Sequence, residues 1–112
     1  IAPGSIPADG VAEALDTGLF VGNLWYTNFS DMSACRTTGM PRFATFWMDS
    51  GEIVAPVSVL RFDDTAFNML GDHLEGLTDD AEVLLDPSTY LERSTASARL
   101  PGALLREMRF VL

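Results

Sequence analysis

Apolar and polar positions alternate along this chain in short blocks, and most of the blocks carry the period of a strand. Residues 5–18 open with a helical pattern: Ser5 stands where a cap would, Pro7 fits a first turn and Gly18 supplies a stop. Gly10 inside that segment costs about 1 kcal/mol relative to alanine, so the expected helix is short. Residues 19–29 then turn aromatic and β-branched, with apolar side chains on both faces, which predicts a buried strand. Residues 30–40 are polar and read as an irregular loop holding Cys35 and Arg36. A second strand is expected over 42–48. After it, Asp49-Ser50-Gly51 marks a tight turn into an extended run over 52–57, which predicts a β-hairpin. Pro56 has no N–H for a ladder, so it marks a strand end, an edge or a bulge.

The extended run continues over 58–62. Residues 63–71 predict a short helix capped by Asp63, with Phe67, Leu70 and Leu74 on one face. An acidic loop over 75–82, a strand over 82–86 ended by Pro87, a small polar stretch over 94–97 and a closing strand within 100–112 complete the expected order. No internal repeat, low-complexity segment or interdomain linker interrupts it. The pattern predicts an α+β fold, a mainly antiparallel sheet of sandwich or barrel-like form with one or two short helices.

At 112 residues and 47% hydrophobic composition, the chain suits one domain or part of one, spanning residues 1–112. Its charge is less ordinary. Sixteen acidic residues face seven basic ones, all arginine, for a formal net charge of −9 and a pI of 4.2. That balance argues against nucleic acid, where affinity comes from clustered cations releasing counterions, and against a polybasic membrane anchor. One cysteine precludes an internal disulfide and a four-thiolate zinc site, and sets a reducing cytoplasm as the expected compartment. No apolar run approaches the roughly 18–20 residues of a membrane-spanning helix, and no signal-peptide pattern is visible. The chain starts Ile1-Ala2-Pro3-Gly4 without an initiator methionine, which suggests a piece of a longer protein.

Candidate chemistry is sparse. His73, the one histidine, reads as a metal ligand or base, or more plainly as a solvated residue at a helix end. It lacks the second His or Cys of a typical zinc shell. Cys35, next to Arg36, reads as an activated nucleophile or as inert packing. The pairs Asp63-Asp64 and Asp79-Asp80 read as metal or glycosidase carboxylates; capping explains the first more simply and solvation the second. Trp25, Tyr26, Phe43, Phe46 and Trp47 concentrate aromatic surface on two expected strands. They form either core or a platform beside a strand edge that takes up an extended peptide. In the second case Arg42 would hold a peptide carboxylate; otherwise it pairs with an acidic neighbour. The candidate peptide-binding residues are therefore Trp25, Tyr26 and Arg42, with no catalytic or metal-binding residue assigned.

Three blocks carry a resemblance. Gly18-Leu19-Phe20-Val21-Gly22-Asn23-Leu24-Trp25-Tyr26-Thr27-Asn28-Phe29 is followed by Thr38-Gly39-Met40-Pro41-Arg42-Phe43, and then by Asp49-Ser50-Gly51-Glu52-Ile53-Val54-Ala55-Pro56-Val57. This order, with Ala2-Pro3-Gly4 ahead of it, resembles the C-terminal region of the TldD/PmbA family, formerly described as modulators of DNA gyrase. The resemblance covers residues 18–62 and is diffuse beyond them. It implies a cytoplasmic metallopeptidase system that trims or degrades unfolded peptides and works as homo- or heterodimers.

Catalytic members carry a His-Glu-x-x-x-His zinc helix upstream, and this chain has none. They also supply a glycine-flanked cysteine late in this region, where residues 92–100 here hold serines instead. Cys35 lies far upstream and does not inherit that role. The resemblance thus implies no cofactor within this chain, zinc only in the full-length protein, and either a non-catalytic partner type or a branch that binds its metal otherwise. The expected function is a β-rich peptide-docking wall of a TldD/PmbA-like zinc metallopeptidase or of its partner. The alternative is a structural or dimerisation module. A third reading, an acidic partner of a DNA-handling protein, finds no phosphate-like spacing of charges to support it.

Overall fold

The computed structural model describes residues 2–41, 44–57, 60–85 and 97–111. Arg42, Phe43, Pro87 and residues 94–96, all of which carry expectations from the sequence, lie outside them. The first helical segment is short, as expected: a 3₁₀ turn, Ala8–Gly10, leads into α1, Val11–Leu15. Ser5 is not its cap, because the backbone on either side of it is bonded elsewhere. The Gly4 N–H donates to the Thr78 carbonyl at 2.8 Å and the Ile6 N–H to the Leu77 carbonyl at 3.0 Å. The cap comes from a distant residue instead: the Asp79 carboxylate accepts the Ala8 N–H at 3.1 Å. That gives one member of the second acidic pair a structural partner rather than solvation alone. The helix stops at Asp16, whose φ of 59° turns the chain before Gly18 is reached.

Residues 19–29 form two strands, not one. β1 (Gly18–Val21) belongs to a three-stranded sheet ordered β1-β4-β5, with β4 at Thr45–Asp49 and β5 at Glu52–Pro56. β2 (Leu24–Asp31) belongs to a separate four-stranded sheet ordered β11-β6-β3-β2. The break falls at Gly22-Asn23, where the Gly22 N–H donates to the Ala44 carbonyl at 2.8 Å and ends the β1 pairing. β2 is exposed along its whole length, contrary to the buried strand its composition predicts.

The polar segment after β2 is also strand over much of its length. β3 (Arg36–Pro41) sits in the middle of the four-stranded sheet, between β2 and β6 (Arg61–Thr65). Threonine serves an interior strand because its branched side chain packs on the pleat and its hydroxyl finds an acceptor. The Thr38 hydroxyl, for example, donates to the Phe62 carbonyl at 2.8 Å. At Gly39 a Cβ would stand 2.8 Å from a ring carbon of Phe62 and 3.1 Å from the Thr27 methyl. The glycine lets that ring close over the sheet.

The expected hairpin is present. β4 and β5 pair antiparallel with Asp49 opposite Glu52, and Ser50 (φ 53°) and Gly51 (φ 78°) form the loop. Two positive φ values at the loop centre are the signature of the turn whose twist matches the flanking strands. The Gly51 N–H and the Ser50 N–H reach back to the Asp16 carbonyl (2.8 Å) and the Thr17 hydroxyl (3.2 Å), stitching the end of α1 to this turn.

The helix expected over 63–71 begins later. Asp63 and Asp64 lie in β6, and the Thr65 hydroxyl, not Asp63, accepts the Asn68 N–H at 3.2 Å ahead of a π-helical turn, Asn68–Asp72. The expected loop over 75–82 holds β7 (Leu74–Leu77), paired with β10 (Ala103–Leu105). β8 (Glu82–Leu85) pairs with β9 (Ser97–Leu100), and β11 (Phe110–Val111) closes the four-stranded sheet against β6. The expected final strand is thus divided among β9, β10 and β11. All these ladders are antiparallel, so the fold is mainly-β α+β. Among the described residues the buried hydrophobic side chains are Met48 of β4, 5% exposed, and Phe62 of β6, 2% exposed.

Candidate functional site at the edge of the four-stranded sheet

The pairing of β6 fixes which way each backbone group in this sheet points. The Asp63 N–H donates to the Arg109 carbonyl at 3.1 Å, away from β3. Backbone groups alternate sides along a strand, so Phe62 and Asp64 turn toward β3. Their register partners in β3 are Gly39 and Thr37, which leaves Thr38 and Met40 to bond β2. Thr38 is opposite Asn28 and Met40 is opposite Trp25, whereas Thr37 is opposite Phe29. Phe29 therefore turns its N–H and C=O to the open side of β2, where no described strand pairs.

This edge carries large apolar side chains: Trp25 is 43% exposed, Tyr26 73% and Phe29 53%. Neighbours along a regular strand face opposite ways. Trp25 and Tyr26 escape that rule because β2 is bulged between Trp25 and Asn28 and Tyr26 has a φ of 52°. The kink brings their rings together edge to face, with centroids 5.5 Å apart and planes at 77°. The structure therefore places two of the three sequence-predicted residues side by side on an exposed strand, while Arg42 lies outside the described residues. Phe46 and Trp47 are not part of this group, since β4 belongs to the other sheet.

Sequence reasoning missed Phe29 and Asn28. The Phe29 N–H, directed to the open side, donates to the side-chain oxygen of Asn28 at 2.8 Å. The signal for such a contact is a residue whose short side chain bonds adjacent backbone, but it matters only once β2 is known to be an edge. Beyond Phe29, the Asp31 carboxylate accepts the Ser33 hydroxyl (2.7 Å) and N–H (3.1 Å) and shapes the turn into β3. The Ser33 hydroxyl is the main reason the Asp31 carboxyl stays below its usual pKa. On the outer face of the sheet, Asp63 accepts the Ser30 hydroxyl at 3.0 Å and pairs with Arg36 at 3.6 Å.

The opposite face holds a carboxylate of another kind. Asp64, 4% exposed, accepts the Asn68 side-chain amide (3.0 Å), the Thr65 N–H (2.8 Å) and the Arg109 N–H (3.0 Å). Burial alone would raise its pKa. The Asn68 amide, the Arg109 and Thr65 backbone N–H groups and the nearby His73 together hold it below the usual value. A carboxylate so occupied is a clasp between β6, the π-helical turn and the segment before β11; it is not poised as a base.

The two residues of the first acidic pair thus work on opposite faces of one strand, and neither caps a helix. His73 does sit at the end of the helical turn, but its side chain is largely covered, with Nε2 3.9 Å from a Glu107 oxygen. Cys35 occupies the turn between β2 and β3, at a φ of 48°, and its carbonyl accepts the Ala66 N–H at 2.9 Å. Among the described residues no three His, Cys, Asp or Glu side chains converge as metal ligands. None of the described helices is long and apolar enough to cross a membrane.

The edge, its aromatic pair and the clasp behind it lie within a match that spans nearly the whole chain: residues 1–111 fit the family model of the PmbA/TldA metallopeptidase C-terminal domain. No curated protein and no solved structure matches the chain. The family match covers the three blocks that carry the sequence resemblance and extends it past residue 62 to both ends of the fold, and the chain belongs to the PmbA/TldA metallopeptidase C-terminal domain family.

Proposed function

We propose that this chain is the peptide-docking wall of a PmbA/TldA-type zinc metallopeptidase or of its non-catalytic partner. An extended stretch of an unfolded peptide adds to the open side of β2, its backbone meeting the outward N–H and C=O of Phe29. Trp25 and Tyr26 offer apolar surface to its side chains. Main-chain pairing of this kind accepts many sequences, as a protein that processes unfolded peptides requires. The carrying observation is the conjunction on one strand of an open edge and exposed aromatic residues. Zinc, its His-Glu-x-x-x-His helix and any hydrolysis belong to the full-length protein, which acts in the cytoplasm as a homo- or heterodimer.

The test is a titration of the chain with unfolded peptides while tryptophan emission is followed, in a Trp47→Phe variant that leaves Trp25 as the reporter. A saturable change at Trp25 is expected, weakened about fivefold or more by Tyr26→Ala if that ring is an anchor. Zinc-dependent hydrolysis by the chain alone would refute the division of labour. A second reading, a structural or dimerisation module, draws on β5, where Ile53 and Val54 are each 61% exposed. A silent titration together with a concentration-dependent dimer would favour it.

A further inference from the structure

We infer that Asn28 is a removable cap on the docking edge, occupying the bond that an incoming peptide must make. This rests on the reading of β2 as a peptide-docking strand. An unpaired N–H on a sheet edge invites pairing with any extended chain. In β2 the outward N–H of Phe29 is already satisfied by the side-chain oxygen of Asn28, 2.8 Å away on the adjacent residue. The register that points Phe29 outward points Asn28 toward Thr38, so the Asn28 backbone stays in the ladder while its side chain guards the edge.

A peptide carbonyl arriving at Phe29 displaces the Asn28 oxygen, which turns to water. One hydrogen bond replaces another, so the exchange is nearly balanced at that position. Affinity is lowered relative to an uncapped edge, release is quicker, and chains that offer only a single bond gain nothing by docking. The cap thus favours partners that pair along several residues, such as an extended unfolded segment, over chance contacts with folded surfaces.

The experiment uses the full chain, labelled with ¹⁵N. The variants are Asn28→Ala and Asn28→Leu, which remove the acceptor, and Asn28→Asp, which keeps it. Leucine retains the branched shape should alanine disturb the strand. The probe is a fluorescein-labelled, alternating Val-Thr peptide of about six residues, a usual strand length. Amide exchange at Phe29 is expected to accelerate roughly two- to tenfold in the Ala and Leu variants, as loss of one modest hydrogen bond predicts, and to stay near wild type in Asp.

Probe affinity is expected to rise by a similar roughly two- to tenfold in Ala and Leu, and not in Asp. Unchanged exchange at Phe29 overturns the cap. Faster exchange with unchanged affinity shows a cap that gates nothing and also overturns the inference, while leaving β2 as the docking strand. Failure of the wild type and all variants to bind overturns the docking reading itself, and the inference with it.

Discussion

Two of the described edge strands, β5 and β2, deal with the same liability in different ways. β5 borders the three-stranded sheet and β2 the four-stranded one. In β5 the Val57 N–H, just past the strand, donates to the Thr45 carbonyl at 3.0 Å, so by alternation the position of Pro56 faces outward. Proline there removes a donor from the open side for good. β2 contains no proline, and the N–H that Phe29 turns outward is covered by a neighbouring side chain instead. One edge is closed by covalent structure and the other by a contact that can be exchanged. Both display apolar side chains, so hydrophobic exposure alone does not separate an edge open to pairing from a protected one. What separates them is whether the backbone can still pair.

The largest effect should come from removing the clasp that ties β6 to the π-helical turn and to the segment before β11. Asp64→Ala leaves the Asn68 amide and the N–H groups of Thr65 and Arg109 without their shared acceptor. It is expected to cost about 3 kcal/mol in urea unfolding, the range for buried groups stripped of a charged partner. Amide exchange should then loosen in β3 and β6 before it does in β4 and β5, where none of these partners lies. Acid probes the same clasp. The Asp64 carboxyl titrates lower in the fold than in the unfolded chain, whose value is 3.8, so protonation favours unfolding. Its contribution is complete above that value and is lost as the pH falls through the lower folded one. Urea midpoints taken between about pH 6 and pH 2 should fall along that limb in the wild type, and less steeply in Asp64→Asn.

A smaller effect tests the closed edge directly. Pro56→Val returns a donor to the open side of β5 beside Ile53 and Val54. Each restored pairing position is worth about 1 kcal/mol to an added strand. Self-association in sedimentation runs should rise with protein concentration, while monomer stability changes little. If the variant stays as monodisperse as the wild type, Pro56 is not what protects β5, and the contrast between the two edges loses one of its terms.

The parts of this fold that were legible in the sequence are those whose cause is local. Asp49-Ser50-Gly51 predicts the hairpin because two positive φ values are a property of the turn itself. Pro56 announces an edge because the missing N–H is a property of the residue. What eluded local reading depends on distant partners. Thr37 and Thr38 look like loop until β6 supplies acceptors for a strand between β2 and β6. Asp63 and Asp64 look like a helix cap until the ladder to β3 turns them to opposite faces. Ser5 looks like a cap, yet Asp79 performs that task from the far side of the sequence.

The candidate site divides the same way. Trp25 and Tyr26 are visible as an aromatic concentration, but the edge position of β2 is set by which strands find each other, and that carried Asn28 and Phe29 out of view. Composition even misled: apolar residues on both faces suggested a buried strand where the structure exposes one.

The smallest expected effect separates strain from recognition at the proposed docking edge. Tyr26 holds a φ of 52°, a region that costs a residue with a Cβ roughly 1–2 kcal/mol and that asparagine tolerates better than most. Tyr26→Asn should therefore stabilise the chain by about 0.5 kcal/mol in urea unfolding, through easier adoption of the bulge. The same change removes the ring that packs edge to face on Trp25 and with it most of the apolar surface at that position. If β2 is a docking strand, peptide affinity falls several-fold while stability rises, a split that a purely structural role for Tyr26 does not produce. If both fall together, the Trp25–Tyr26 pair supports the strand more than the strained backbone burdens it. The bulge would then be a packing feature, and the open edge of β2 would depend on Phe29 alone to distinguish it from β5.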